Sequence, residues 1–186
     1  MDASLTGKLL IAMPDMGDPR FAKTVIYMCA HSDEGGMGLI VNAPLVGTDM
    51  KALLEQLDIV VMAPVDHVKV HTGGPVDPAR GFLLHSDEYA CGEGTLDTGN
   101  GISMTATRDA LEDIAAGTGP RHAMLALGYA GWGPGQLEYE IGQNGWLTCD
   151  APLDLIFSAE DADKWRQALK SMGIDPLMLS ASAGHA

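Results

Sequence analysis

Positive charge is scarce in this chain of 186 residues: 11 Lys and Arg stand against 25 Asp and Glu, a formal net charge of −14. A duplex-binding surface draws its affinity from cationic neutralisation of phosphates and the release of counterions, so direct nucleic-acid binding is not expected. Anionic membranes attract basic clusters and are disfavoured for the same reason. Long apolar runs are missing too: no window approaches the roughly 20 apolar residues of a spanning helix. Near the N-terminus only Leu9 to Met13 is continuously apolar, and Asp2 stands where a secretory leader carries positive charge. A cytoplasmic protein is therefore expected. Cysteine is limited to Cys29, Cys91 and Cys149, an odd number with no C-x-x-C spacing, which indicates neither a disulfide framework nor a zinc knuckle. Cys29 and Cys149 sit in strand-like runs and read as small buried hydrophobes, whereas Cys91 reads as the more exposed.

The apolar share of 46% and charged share of 19% are those of a globular chain, and the length suits one domain spanning residues 1–186. Short apolar or β-branched runs predict strands at Lys8–Met13, Val25–Cys29, Gly38–Asn42, Gly81–His85, His122–Leu127 and Trp146–Cys149. Leu155–Phe157 reads as a further short strand, and Ser86 to Gly101 as a long loop or wide hairpin. Alternation over Val65–Thr72 puts Val68 and Val70 on one strand face and His67, Lys69 and His71 on the other, a half-exposed strand. Helical spacing appears in Met50, Leu53, Leu54 and Leu57 after a Thr48 cap, and in Ala110, Leu111, Ile114 and Ala115 after Thr107 and before Gly117. A third helix follows Pro134 with Leu137 and Ile141 one turn apart. A fourth opens at Ser158, with Ala162, Trp165, Leu169 and Met172 as its apolar positions. Strands and helices do not alternate strictly, which favours an α+β fold with a mixed or largely antiparallel sheet.

Motifs that carry chemistry are few. There is no G-x-x-x-x-G-K-[ST] loop, no G-x-S-x-G elbow and no G-x-G-x-x-G after a strand. Gly131-Trp-Gly-Pro-Gly135 lies between a strand and a helix, where phosphate loops lie. It has no lysine, Pro134 removes a donor, and Glu138 and Glu140 follow. His67 and His71 are roughly 13 Å apart along a strand, too far to share a metal. No cofactor is indicated. Tyr129, Trp132 and Trp146 form an aromatic group around the glycines, with Gln136 and Glu140 nearby; they either wall a ligand cleft or pack the helix onto the sheet.

In order along the chain stand Leu10-Ile-Ala-Met-Pro14, Asp18-Pro19, Val25–Cys29, Gly38–Asn42, Gly73-Gly-Pro-Val76, Arg80–His85 and Thr105–Asp109. Leu127-Gly-Tyr-Ala-Gly-Trp-Gly-Pro-Gly-Gln-Leu-Glu138, Asn144–Leu147 and Gly173–Pro176 complete the series. This arrangement resembles the AlgH/YqgE family of bacterial proteins over nearly the whole chain. Ala43 departs from it, since the family often has an arginine there. The resemblance implies a single α+β domain whose bent sheet forms a pseudo-barrel flanked by helices. It also carries a proposed role in transcriptional regulation, with no agreed active site.

Together these readings point to a non-enzymatic binding or regulatory protein that acts through a protein or small-molecule partner and affects transcription only indirectly. The candidate site residues are Gly73, Gly74, Arg80, His85, Arg108, Tyr129, Trp132, Gln136 and Glu140. Arg108 is singled out because a cation in the first turn of a helix opposes the helix dipole, as an anion-binding residue or a salt-bridge partner does. The alternative is a hydrolase with His85 or Glu140 as general base and Arg108 holding an anion.

Overall fold

A computed structural model describes residues 4–14 and 21–177; the Asp18-Pro19 step lies outside them. Among the described residues nine strands form one sheet. They are β1 (Lys8–Ala12), β2 (Val25–Ser32), β3 (Gly35–Ile40), β4 (Lys69–Thr72), β5 (Val76–Ser86), β6 (Thr95–Gly99), β7 (Ile102–Thr105), β8 (Ala123–Trp132) and β9 (Trp146–Asp150). The order is β6-β7-β5-β8-β3-β2-β1-β9, with β4 pairing β8 off this path. Every pairing is antiparallel except β4 with β8. Among the described residues five α-helices flank the curled sheet: α1 (Met50–Gln56), α2 (Arg108–Ala116), α3 (Gln136–Gly142), α4 (Leu153–Phe157) and α5 (Asp161–Ser171). The architecture is the expected α+β half-barrel.

The ten-residue β8 is the hinge of the sheet. Its first half, Met124–Leu127, lies between β5 and β4, while Ala130–Trp132 pairs with β3. Between the halves stands Gly128 with φ +80, where a Cβ would lie 2.5 Å from the Gly74 carbonyl oxygen. Only glycine accommodates both that backbone angle and that approach. The sequence reading ended this strand at Leu127 and placed the glycines in a loop. Gly128 instead lies inside β8, where the pairing with β4 ends and the register with β5 shifts.

Leu9, Ile11, Val25, Tyr27, Phe82, Leu84 and Met124 form one continuous cluster under α4 and α5. The other face is divided: α1 and α2 cover Val68, Val70, Leu83 and Leu125, and α3 covers Leu10, Ile26, Met28 and Trp132. Alternation therefore serves two cores, because both faces of most strands are covered.

Several local expectations are corrected. Asp49, not Thr48, caps α1, its carboxylate accepting from Ala52 N at 2.8 Å. Thr107 does stand at the N-cap of α2, but its side chain makes no capping bond. Of the two readings of Ser86–Gly101 the wide hairpin holds, since the segment joins the antiparallel β5 and β7; it also carries β6, paired with β7, which the sequence did not mark. Leu155–Phe157 belongs to the short helix α4, started by Pro152, whose fixed φ of −65 suits a helix entrance. Ser158 consequently ends α4, and Glu160 precedes α5. The buried face of α5 is Lys164, Ala168 and Leu169, with Ala162 exposed.

Candidate functional site

The sequence-derived candidates do not converge on one cleft. Trp132, Gln136 and Glu140 do meet. The Glu140 carboxylate accepts from the Trp132 indole at 3.1 Å, the Trp146 indole at 2.9 Å and the Gln136 amide at 2.9 Å, while the Gln136 carbonyl accepts from Gly133 N. Both rings are buried and meet edge to face at 6.2 Å. A carboxylate with three donors, joining β8, α3 and β9, is a clasp between elements, and of the two readings of this aromatic group the geometry matches packing.

Tyr129 packs edge-on against Phe82, and the Arg80 guanidinium stacks over the same Phe82 ring at 5.1 Å. Gly73 and Gly74 lie against the bend of β8, where a Cβ on either would fall within 2.3 Å of Gly128 or Tyr129 backbone. These two glycines serve close packing of β4, β5 and β8.

His85 is completely buried in β5. Its Nδ1 faces the Ser86 carbonyl and its Nε2 the Thr105 hydroxyl, each at 2.8 Å. The carbonyl only accepts, so Nδ1 carries the proton and Nε2 accepts. The chain then runs one way: Cys91 N–H to Thr95 Oγ1, Thr95 hydroxyl to Thr105 Oγ1, Thr105 hydroxyl to His85 Nε2. Burial holds the His85 pKa below its ordinary value despite the bond to Ser86. With both nitrogens engaged, His85 offers no lone pair to a substrate.

Arg108 is elsewhere, at the mouth of a cavity of about 240 Å³ between α1, α2 and the sheet. Its floor is apolar: the half-buried Leu53, Leu57, Leu111 and Leu127 with the buried Leu83 and Leu125. The apolar stripes of α1 and α2 are wider than the contact between the helices and the sheet, and the surplus leucines line this space. Arg108 donates through Nη2 to the Leu57 carbonyl at 2.6 Å and through Nε to Glu112 at 3.1 Å. Arg80 also borders the cavity.

A second polar cluster was not anticipated. His71, placed by alternation on an exposed face, is 2% exposed because α5 covers that side of β4. Its Nε2 lies 3.0 Å from both oxygens of Asp161. Lys164, equally buried, donates to Asp161 at 2.9 Å and to the Val41 carbonyl at 2.7 Å. Burial works to raise the Asp161 pKa, but hydrogen bonds from His71 and Lys164 outweigh it and hold the carboxyl below its ordinary range. Burial lowers the Lys164 pKa, against the pull of Asp161. The trio ties α5 to the region where β3 and β4 diverge from their shared neighbour β8. In the sequence, the i, i+3 spacing of Asp161 and Lys164 was the available signal; its partner on β4 was not.

The chain matches the family described as AlgH-like over residues 9–177. It is 57% identical over 186 residues to a UPF0301 protein of Paracoccus denitrificans, covering 99% of this chain and 98% of that one. Against a UPF0301 protein of Ruegeria pomeroyi the identity is 58% over 183 residues, covering 98% and 99%. The fold is similar to the solution structure of the AlgH protein from Pseudomonas aeruginosa, with TM-score 0.80 and 40% identity, over 100% of this chain and 98% of that one. A crystal structure of a Corynebacterium diphtheriae protein shares the fold at TM-score 0.73 and 19% identity, over 91% and 88% of the two chains. With its fold, its motif order and these relatives in agreement, the chain belongs to the AlgH-like family.

Proposed function

We propose that this protein is a non-enzymatic binding module whose ligand is a small amphipathic anion, seated in the leucine-lined cavity at Arg108. The observation that carries the reading is this leucine-lined cavity with the Arg108 guanidinium in its lining, while His85 and Glu140 are committed to internal bonds. The volume falls just below the roughly 300–1,000 Å³ of drug-sized sites, which suits a short acyl carboxylate. Its tail would lie among the leucines, and its head would meet Arg108 and the start of α2, whose N-cap side chain makes no capping bond. The Arg108–Glu112 pair is 52% exposed on both sides, so it contributes only about 0–1 kcal/mol and yields to a ligand. An effect on transcription would then be indirect, through the liganded protein and a partner.

Hexanoate, hexan-1-ol and hexylammonium, titrated against leucine-methyl NMR resonances, test this. Saturable shifts at Leu53, Leu57, Leu111 and Leu127 are expected, strongest with hexanoate, weakened in Arg108→Gln and abolished when Leu53→Trp fills the space. Equal binding of all three probes refutes the anion assignment, and binding unaffected by Leu53→Trp refutes the cavity.

A further inference from the structure

A cavity of about 940 Å³, separate from the one at Arg108, opens between the residues just before β2, one stripe of α5 and the chain that follows α5. The protein has only 11 Lys and Arg in 186 residues, yet Lys23, Arg166 and Lys170 all line this one space. Ala162, Arg166 and Lys170 share the lining at i, i+4, i+8 spacing, which sets the two cations of α5 about 6 Å apart along its axis. Lys23 arrives from a different part of the chain. Its Nζ lies 5.7 Å from the centre of the Trp165 ring, next to Arg166 on the helix.

The positive charge of the lining is uncommitted, and the negative charge is engaged. Lys23 and Lys170 are exposed, and among the described residues neither makes an ion pair. Arg166 meets Asp163 at 3.5 Å with both side chains well exposed, a contact that yields readily to a ligand. Of the two carboxylates that line the cavity, Asp161 is held by His71 and Lys164, and Asp175 accepts from the Leu177 backbone N–H at 3.0 Å. The dipole of α5 accounts for a lysine in its last turn, but Lys23 is not on that helix.

The rest of the wall is apolar. The Trp165 indole donates to the Ala12 carbonyl at 2.8 Å, which fixes the ring, and Pro14, Ile174 and Leu177 border the same space. Leu177 is 77% exposed. An indole already held in place offers a flat surface without further ordering. The ammonium group above it is mobile on a long stem and can move from the ring to an anion.

We propose that this cavity binds a small aromatic phosphate. The ring packs on Trp165 and Leu177. The phosphate meets Lys23, Arg166 and Lys170, with Arg166 supplying paired donors and the lysines point charges. The volume stands at the upper end of the roughly 300–1,000 Å³ of ligand sites, which suits a fused ring bearing one phosphate. A long polyanion is disfavoured even here, since beyond this patch it meets the net charge of −14.

The full chain is titrated with 1-naphthyl phosphate, with 1-naphthol as the neutral counterpart and cyclohexyl phosphate as the non-aromatic one. Calorimetry reads affinity, and the indole N–H resonance of Trp165, assigned through Trp165→Phe, reads location. Saturable binding is expected to move Trp165 and leave Trp132 and Trp146 in place. Each counterpart should bind at least about tenfold more weakly, a difference of about 1.4 kcal/mol. The Lys23→Gln/Lys170→Gln variant changes two exposed side chains without ion-pair partners, so it should melt as wild type yet bind about tenfold more weakly. Arg108→Gln should bind as wild type, which separates this site from the leucine-lined cavity. No saturable binding, equal binding of either counterpart, undiminished affinity in the double variant, an unmoved Trp165 resonance, or affinity lost in Arg108→Gln would each overturn the assignment.

Discussion

Lys164→Met isolates the buried charge cluster. The substitution keeps the length and apolar stem of a side chain that is 2% exposed and removes only its ammonium group. The Val41 carbonyl then loses its donor, and Asp161 keeps His71 alone. Removing one partner of a buried pair is destabilising by about 3–5 kcal/mol; water reaching the Asp161 side chain, which is 23% exposed, reduces this to about 2–4 kcal/mol. At roughly 2–4 °C per kcal/mol for a domain of this size, melting should fall by about 5–15 °C. Asp161→Asn should be comparably harmful. The double variant should be milder than the sum of the two by at least about 1 kcal/mol, because no uncompensated charge is left inside. The acid limb should change as well. The Asp161 carboxyl is depressed in the folded state, so its contribution is fully present above the ordinary Asp range near about pH 4 and is lost as pH falls through the lower folded value. Lys164→Met weakens that depression and should flatten the acid limb. Urea unfolding followed by circular dichroism from pH 3 to 7 reads all of these quantities. A Lys164→Met protein within about 0.5 kcal/mol of wild type, or strict additivity in the double variant, would refute the account.

Glu140→Ala leaves two buried indole donors without an acceptor and should cost about 2–5 kcal/mol in thermal denaturation, whereas unchanged melting would remove the clasp from the argument. The depressed pKa of His85 means that the unfolded chain takes up a proton from about pH 6.5 downward before the folded one does. Stability should therefore decline on acidification below that point, and less steeply in His85→Gln; identical slopes contradict the assignment. All three cysteines are free, so alkylation after unfolding without reductant should add three adducts. In the native protein Cys29, buried and with its pKa pushed up to about 12, should react last. A mobility shift at low salt should detect no duplex binding, and a complex weakening steeply with salt would overturn that expectation.

Local chemistry in the chain was sufficient for the α+β class, for the apolar strands from Lys8 to Trp146, and for the helices placed after Thr48, Thr107 and Pro134, though not for the capping residue of the first; the resemblance supplied the family. The elements rest on side-chain periodicity or on backbone preferences confined to a few neighbouring residues, and the family on a resemblance in the order of segments along the chain. Where the reading failed, the deciding partner was distant in sequence. Alternation showed that Val70 and His71 face opposite ways, but α5, 90 residues on, decided that the His71 face is covered and gave it Asp161. Lys164 fell outside the apolar stripe of its helix for the same reason, since its partner is a backbone carbonyl at Val41. The nine candidate residues were grouped by residue type and nearness in the chain. The bend at Gly128 sorted them in space, sending Trp132, Gln136 and Glu140 to one side of the sheet's branch point and His85 into the other half. Arg108 went to a cavity whose leucines come from two helices and two strands. Which face is covered, and by what, is a property of how elements pack, and no short segment carries it.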